Sequence, residues 1–164
     1  MKMRASIKTC IYISGPPCVG KSTVARGIQR FVPKIQHVRG DDYWTMYPDL
    51  LFGERVAKVN QHVLTSVRDT ASADVLCEWV PCRGLFVVQL YNICVSAGRQ
   101  FYHVILTAPV SVLKRRKMER DGDEDIGPEV VTAPEQEKAY EWQVFDTDRE
   151  ERSAIVGEIC RWVL

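Results

Sequence analysis

The strongest constraint on the fold is a glycine-containing run that lies between a short apolar segment and an amphipathic one. Residues 9–14 (TCIYIS) are rich in apolar residues that favour β-strands. Residues 21–31 repeat apolar side chains at helical spacing, and Pro33 follows them. Residues 15–23 (GPPCVGKST) follow the first segment and overlap the start of the second. They fit the pattern G-x-x-x-x-G-K-[ST]. A strand, this turn and a helix in that order predict a phosphate-binding βα unit.

The chemistry of this loop depends on its backbone as much as on its side chains. Successive N–H groups surround a phosphate, and the following helix directs its partly positive N-terminus at the same point. The motif places Lys21 within reach of the β- and γ-phosphates and the Ser22 hydroxyl on Mg²⁺. The predicted nucleotide-binding residues of the loop are Gly15, Pro16, Pro17, Cys18, Val19, Gly20, Lys21, Ser22 and Thr23.

The rest of the chain alternates apolar, β-prone runs with segments of helical period. This alternation predicts βαβ units on a parallel sheet, and 164 residues suit a single domain spanning 1–164. No apolar run approaches the ~18 residues of a membrane span. The predicted strands are 9–14, 35–39, 74–80, 101–107 and 143–146. The predicted helices are 21–31, 54–71, 84–97, 110–121 and 150–163.

Charge is distributed unevenly along the chain. Residues 1–40 contain eight Lys or Arg and no acid, whereas residues 121–164 contain thirteen acids and four bases. A segment built around a polyanionic ligand explains the basic opening better than a nucleic-acid arm or a targeting segment, because only Lys2, Arg4 and Lys8 precede the first predicted strand. A net charge of +1 offers no broad basic surface for nucleic acid.

The six cysteines predict free thiols rather than zinc ligands or disulfides. No C-x-x-C pair occurs, and several cysteines lie inside apolar runs, where a thiol packs as a small hydrophobe. This usage favours the cytoplasm, with a short mitochondrial targeting role left open. Cys18 differs because it lies in the glycine-containing loop beside Lys21, where its thiolate could form and be oxidised.

A phosphate-binding loop by itself does not separate kinases from GTPases, motors or switches. A GTPase needs a base-recognising Asn-Lys-x-Asp sequence, which is absent. A motor ATPase usually carries a longer apolar strand that ends in adjacent acids, together with oligomer-contact elements, and 164 residues leave little room for these. A kinase of small acceptors needs an acid near the acceptor hydroxyl, an acid near the metal and a mobile lid that bears arginines. Candidates for all three parts are present.

The first two parts are acids that follow or end predicted strands. Asp41 and Asp42 come directly after the second strand, at the sheet edge where ligands of open α/β sheets bind. Asp41 is the predicted base for the acceptor hydroxyl and Asp42 the alternative, although a helix cap would explain one of them. Glu78, inside an apolar strand, could hold a Mg²⁺-bound water or the acceptor, or form a salt bridge with Arg83.

The third part is a lid predicted over about 113–134. Arg116 and Arg120 are four residues apart on one helix face, and an acidic loop with Gly127 and Pro128 follows. Guanidinium groups brought over the γ-phosphate would neutralise charge during transfer, and closure would exclude water. A solvated basic face, with Arg115 paired to Glu119, is the alternative interpretation.

These residues together resemble the small P-loop kinases, in particular the chloramphenicol phosphotransferase-like and polynucleotide kinase-like group. The resemblance covers the loop, Gly40-Asp41-Asp42-Tyr43, the R-x-x-x-R pair and Phe145-Asp146-Thr147-Asp148. It implies a three-layer fold in which a five-stranded parallel sheet of order 2-3-1-4-5 has helices on both faces. It also implies ATP and Mg²⁺ as cofactors, Asp41 as the base, and Asp146 and Thr147 beside the adenine.

One difference from this group bears on the acceptor. Polynucleotide 5′-kinases have an arginine just after the aromatic residue, whereas this chain has Trp44. The predicted activity is therefore transfer of the γ-phosphoryl group of ATP to a hydroxyl of a small molecule, with a polynucleotide 5′-kinase and a regulatory ATPase as alternatives. Trp44, Tyr47 and Trp79 could stack on a flat acceptor. The predicted acceptor-binding residues are Asp42, Trp44, Glu78 and Arg83. The sequence leaves open whether the chain is a monomer or a homodimer.

Overall fold

Five parallel strands form one sheet in the order β2-β3-β1-β4-β5 in the computed structural model. The structure describes residues 8–70, 74–80, 84–126 and 141–162. The strands are β1 Lys8–Ser14, β2 Gln36–Arg39, β3 Val75–Glu78, β4 Arg99–Thr107 and β5 Glu141–Asp146. The helices are α1 Lys21–Phe31, α2 Gly40–Trp44, α3 Phe52–Asp69, α4 Leu85–Ser96, α5 Val110–Asp121 and α6 Arg152–Cys160. Of these described helices, none combines the length and apolar character needed to cross a bilayer.

Both faces of the sheet are buried, which explains the unbroken apolar character of its strands. Side chains of β1 alternate, so Ile11 and Ile13 join a core with α1, α5 and α6. Cys10 and Tyr12 face the other way and join a second core with α3 and α4. The prediction of a three-layer α/β fold with sheet order 2-3-1-4-5 and helices on both faces is confirmed.

The bounds of several elements match the predicted ones and those of others differ by a few residues. Helices α1 and α5 have the predicted ends, because Pro33, Pro109 and Gly122 mark them. β4 begins two residues early, since buried Arg99 donates hydrogen bonds from its guanidinium to the carbonyls of Val67 and Thr70. Helix α6 begins at Arg152 rather than at 150, β3 is shorter than predicted and β5 longer.

Helix α2 positions the predicted acidic pair, and its first residue explains how it does so. Gly40 follows β2 without an intervening loop and is buried against the Trp79 ring. A Cβ on Gly40 would lie 2.0 Å from Trp79 Cε3, so only glycine allows this approach. The turn from β2 into α2 therefore depends on glycine at 40, and Asp41 is the next residue.

Replacing Gly40 by alanine is expected to lower the free energy of unfolding by about 1–3 kcal/mol, because the new methyl group overpacks the Trp79 ring. Chemical denaturation measures the change. Gly53→Ala is the matched control, since a Cβ at Gly53 meets nothing within 4 Å. Gly53 lies in α3, where alanine is favoured by roughly 0.5–1 kcal/mol. Equal stability of both variants would contradict this packing argument.

A buried polar pair lies immediately before the glycine-containing loop. Ser14 is the last residue of β1, and its hydroxyl shares a 2.8 Å hydrogen bond with His103 Nε2 on β4. The His103 ring is fully buried and stacks on Tyr12, with ring centroids 4.9 Å apart. Burial lowers the pKa of His103 from 6.5 to about 3, so the ring is neutral in the folded chain.

Stability is expected to fall as the pH is lowered from 6.5 to 5. In that range the unfolded chain protonates His103 while the folded chain does not, so the unfolded state binds more protons. The contribution from this group is about 2 kcal/mol over the interval. Urea denaturation at pH 7.5, 6.5 and 5 measures it. His103→Gln should flatten the pH dependence even if it lowers stability throughout, and an unchanged slope would contradict the assignment.

Candidate active site

The loop of residues 15–23 connects β1 to α1 at the carboxyl edge of the sheet. Gly15 has φ 147°, and a Cβ there would lie 2.4 Å from the Leu106 carbonyl oxygen. Cys18 adopts the left-handed conformation at φ 62°, which in such loops curves the backbone into a concave nest of N–H groups. Helix α1 then begins at Lys21. A backbone of this shape, followed by a helix N-terminus, can surround an anion.

Lys21 folds back over the loop. Its Nζ donates hydrogen bonds to the carbonyl oxygens of Gly15, at 2.9 Å, and Pro16, at 3.0 Å. An ammonium group has three N–H donors, so these two bonds leave one for a ligand. Burial lowers the pKa of Lys21, and the negative charges of Asp41 and Glu78 oppose the decrease. Both carboxylates therefore lie near enough to influence this ammonium group.

The two adjacent acids of α2 have different surroundings. Asp41 lines a cavity of about 420 Å³ together with Lys21 and Ser22. Both acids are exposed, but the Asp42 Oδ1 lies 3.2 Å from Arg39 Nη1 in an ion pair. Asp42 is not among the described residues that line this cavity. The sequence left the choice of base open between these two acids, and the geometry favours Asp41.

Glu78 ends β3 as a buried carboxylate, only 3% exposed. Arg39 Nε donates to its Oε1 at 2.9 Å, and His37 Nε2 lies 3.5 Å from the same oxygen. Burial alone would raise the pKa of Glu78, but His37 and Arg39 together hold it below its ordinary value. Glu78 Oε2 has no hydrogen-bond partner within the part of the chain that the structure describes. This carboxylate is therefore ionised, and its Oε2 is a buried acceptor that the described side chains leave unsatisfied. Glu78 is not among the described residues that line the cavity with Asp41.

The sequence by itself does not reveal which residues contact Glu78. Arg39 takes the role that was considered for Arg83, and Arg83 lies outside the described residues. The signal was available once the strand order was assumed, because parallel register places Arg39 directly beside Glu78 on neighbouring strands. His37 lies opposite Leu76 in this register, two residues before Arg39, and its contact with Glu78 is visible only in the folded chain.

A second cavity of about 520 Å³ lies beside the first. Thr23, Thr147 and Glu150 line it, and Cys18, Gly20, Thr23, Arg116 and Arg120 line both cavities. Thr147 is held in place because its backbone N–H and hydroxyl both donate to the Thr107 carbonyl, at 2.9 and 3.2 Å. Because the two cavities share these lining residues, they adjoin each other at the loop.

The turn after β5 separates two residues that were predicted to act together. Thr147 lines the second cavity, whereas the Asp146 carboxylate accepts a hydrogen bond from the Asp148 N–H at 3.0 Å. Asp146 Oδ2 also lies 3.5 Å from Arg149 Nε. These contacts assign the Asp146 side chain to the turn, and its contact with a nucleotide stays a prediction.

The two arginines of α5 line both cavities with different partners. Arg116 donates from Nη1 and Nη2 to the Thr147 hydroxyl and carbonyl, at 3.0 and 2.9 Å. Arg120 pairs with Asp121, and this hydrogen bond, aided by the charge of Asp41, raises its pKa. Arg115 and Glu119 form the exposed pair considered from sequence. Residues 127–134 of the predicted lid lie outside the described residues.

The aromatic residues near α2 pack mainly against one another. Trp79 is 3% exposed and belongs to the core, so the hypothesis that it stacks on an acceptor is wrong. Tyr47 stacks on His62, with ring centroids 5.6 Å apart. The Arg55 guanidinium lies 4.0 Å from the Trp44 ring centroid and covers one face of that ring. A contact between Trp44 and an acceptor stays a prediction.

Comparison with known proteins identifies solved structures of similar fold. No family model and no curated protein matches the chain. The APS kinase of Mycobacterium tuberculosis, solved with AMPPNP and APS, is 16% identical, with a TM-score of 0.72 over 94% of this chain and 96% of that chain. A sugar kinase from Janibacter is 16% identical, with a TM-score of 0.69 over 95% and 94%.

A third solved structure of similar fold is a kinase with a different ligand. The shikimate kinase of Acinetobacter baumannii, solved with shikimate, is 16% identical, with a TM-score of 0.61 over 96% of this chain and 94% of that chain. Since the identities are low, these similarities concern the fold. The sheet order 2-3-1-4-5, the loop at its edge and the near-complete overlap with these structures show that the chain has the P-loop kinase fold.

Proposed function

We propose that this chain is a Mg²⁺- and ATP-dependent kinase that transfers the γ-phosphoryl group to a hydroxyl of a small acceptor. The observation that carries the proposal is the 420 Å³ cavity in which Lys21 and Ser22 of the loop lie with the carboxylate of Asp41. Arg116 and Arg120 line the same cavity. A phosphate-binding loop and a candidate base on one cavity are the minimum that phosphoryl transfer needs.

The second cavity supports a nucleotide as the phosphoryl donor. It adjoins the loop, and Thr147 and Arg116 line it, so a nucleoside placed there would have its phosphates at the loop. The similarity in fold to an APS kinase solved with AMPPNP agrees with ATP in this role. Thr23 and Gly20 line both cavities and would lie beside the phosphates.

The residues present also fit Mg²⁺. Ser22 would bind the ion, and Glu78 Oε2, which is buried and has no hydrogen-bond partner among the described side chains, could hold one of its waters. Across the described ranges no cluster of three or more His, Cys, Asp or Glu forms a metal cage. A hydroxyl and a carboxylate that holds a water suit Mg²⁺, which keeps several waters and binds substrate phosphates. When bound, the ion neutralises charge on the phosphate oxygens.

The transfer step assigns a separate task to each group. Asp41 would accept the acceptor's hydroxyl proton as the acceptor oxygen bonds to the γ-phosphorus. The bond from that phosphorus to the oxygen shared with the β-phosphate breaks, and ADP leaves with that oxygen. Lys21 would offset charge on the transferred group, as would Arg120 once its guanidinium leaves Asp121. Asp41 then releases the proton to solvent.

A screen for acceptor-stimulated ADP release tests the proposal. The purified chain with Mg²⁺ and ATP would be offered nucleosides, vitamins, sugars and antibiotics, and mass spectrometry would identify the phosphorylated product. At least one acceptor should raise ADP release well above the rate without acceptor. ADP release that responds only to a protein partner would favour a regulatory ATPase. A preference for oligonucleotides with a steep salt dependence would favour a polynucleotide 5′-kinase.

A further inference from the structure

One cation in the cavity that Asp41 lines is assigned above neither to the phosphates nor to the nucleoside. Arg26 lines this cavity, but it is not among the lining residues of the adjoining one. It lies one helical turn beyond Ser22 on α1, so the two side chains share a helix face. Arg26 is therefore on the side of the loop where Asp41 lies, away from the proposed nucleoside compartment.

Arg26 also differs from the other cations of the site in its contacts. Arg39 is paired with Glu78 and Asp42, Arg116 is bonded to Thr147, and Arg120 is bonded to Asp121. Arg26 is exposed, and within the described part of the chain it makes no hydrogen bond or ion pair. Its guanidinium can donate up to five hydrogen bonds, in a planar geometry that matches carboxylate, phosphate and sulfate.

The balance of charge in the cavity points in the same direction. Four basic side chains and one acidic side chain line it: Lys21, Arg26, Arg116, Arg120 and Asp41. Lys21, Arg116 and Arg120 also adjoin the loop and would face the nucleotide phosphates, whose charge Mg²⁺ already reduces. The positive charge of Arg26, which lines the same cavity as the predicted base, is left without an assigned partner.

We propose that the acceptor carries an anionic group, a carboxylate or a phosphate or sulfate ester, and that Arg26 binds it. This inference rests on the proposed kinase function and specifies the substrate class. Binding of that group by Arg26 would hold the acceptor in the cavity and present its hydroxyl to Asp41. Anions of this kind form strong, charge-assisted hydrogen bonds with guanidinium groups.

Inorganic sulfate is a probe for this site that does not require the acceptor to be known. The full chain would first be saturated with Mg²⁺ and AMPPNP, which occupies the loop, and sulfate would then be titrated by calorimetry. We expect one sulfate to bind, and Arg26→Ala to weaken it by roughly 10- to 100-fold, the effect of losing hydrogen bonds to a charged group. Arg30→Ala, an exposed arginine on the same helix that lines neither cavity, is the matched control.

Acceptor pairs supply the second measurement. Sugars and the corresponding sugar acids, and nucleosides and their monophosphates, would be compared for stimulated ADP release. The anionic member of a pair should be preferred, Arg26→Ala should raise its KM more than it lowers kcat, and Arg26→Lys should recover part of the loss. Equal sulfate binding by wild type and Arg26→Ala, or efficient use of neutral acceptors only, would overturn the inference while leaving the kinase function intact. Failure of every acceptor would instead count against the kinase function.

Discussion

Replacing Lys21 by alanine is expected to abolish phosphoryl transfer and to weaken nucleotide binding by roughly 10- to 100-fold. The affinity loss is that of a charge-assisted hydrogen bond to phosphate. The loss of rate is larger, about 10²–10³ or more, because the ammonium group would also offset charge that develops on the transferred phosphoryl group. Calorimetry with AMPPNP and an ADP-release assay measure the two effects separately.

Loss of Lys21 also removes two hydrogen bonds that hold the loop, from Nζ to the Gly15 and Pro16 carbonyls. Circular dichroism and thermal unfolding therefore have to accompany the binding data. Lys58→Ala, on the exposed side of α3 and outside both cavities, controls for the removal of a lysine. Wild-type nucleotide affinity in a folded Lys21→Ala chain would contradict the assignment of the loop.

Asp41→Asn is expected to preserve nucleotide binding and to lower the rate of transfer by about 10²–10⁴, the usual contribution of a positioned base. The amide has nearly the size of the carboxylate, but it cannot accept the hydroxyl proton. Single-turnover kinetics with a saturating acceptor measure the effect on the chemical step.

Asp42→Asn is the matched control for Asp41. Asp42 is exposed and paired with Arg39, and exposed pairs of this kind contribute ~0–1 kcal/mol. Its replacement should change the rate little. A slow Asp42 variant beside a fast Asp41 variant would exchange the two roles, and wild-type rates in the Asp41 variant would remove Asp41 from the mechanism.

Local sequence patterns were sufficient for the elements that have clear start and stop signals. α1 and α5 have the predicted ends, because a glycine-containing loop and Pro109 precede them and Pro33 and Gly122 follow them. The start of α6 was predicted too early, because the Glu150 carboxylate accepts a hydrogen bond from the Asp146 N–H and keeps 146–150 in a turn. Hydrophobic periodicity does not predict a hydrogen bond of this kind between a side chain and the backbone.

The candidate site shows a similar division. The loop of residues 15–23 could be recognised from its spacing, and the acid pair from its place after a strand. The sequence did not separate Asp41 from Asp42, which differ in their contacts with Arg39 and the cavity. Nor did it show that Trp79 closes against Gly40 and is unavailable to a ligand.

The order of residues along the chain determined the alternation of strands and helices, the shape of the phosphate loop and the sheet edge at which the acids end. These features depend on neighbours within a few positions, so local periodicity and glycine content suffice for them. The tertiary structure decided that Arg39 and His37 contact Glu78 and that Arg26 shares a cavity with Asp41. Such contacts join residues far apart in sequence, and they arise only when strand register and helix packing bring those residues together.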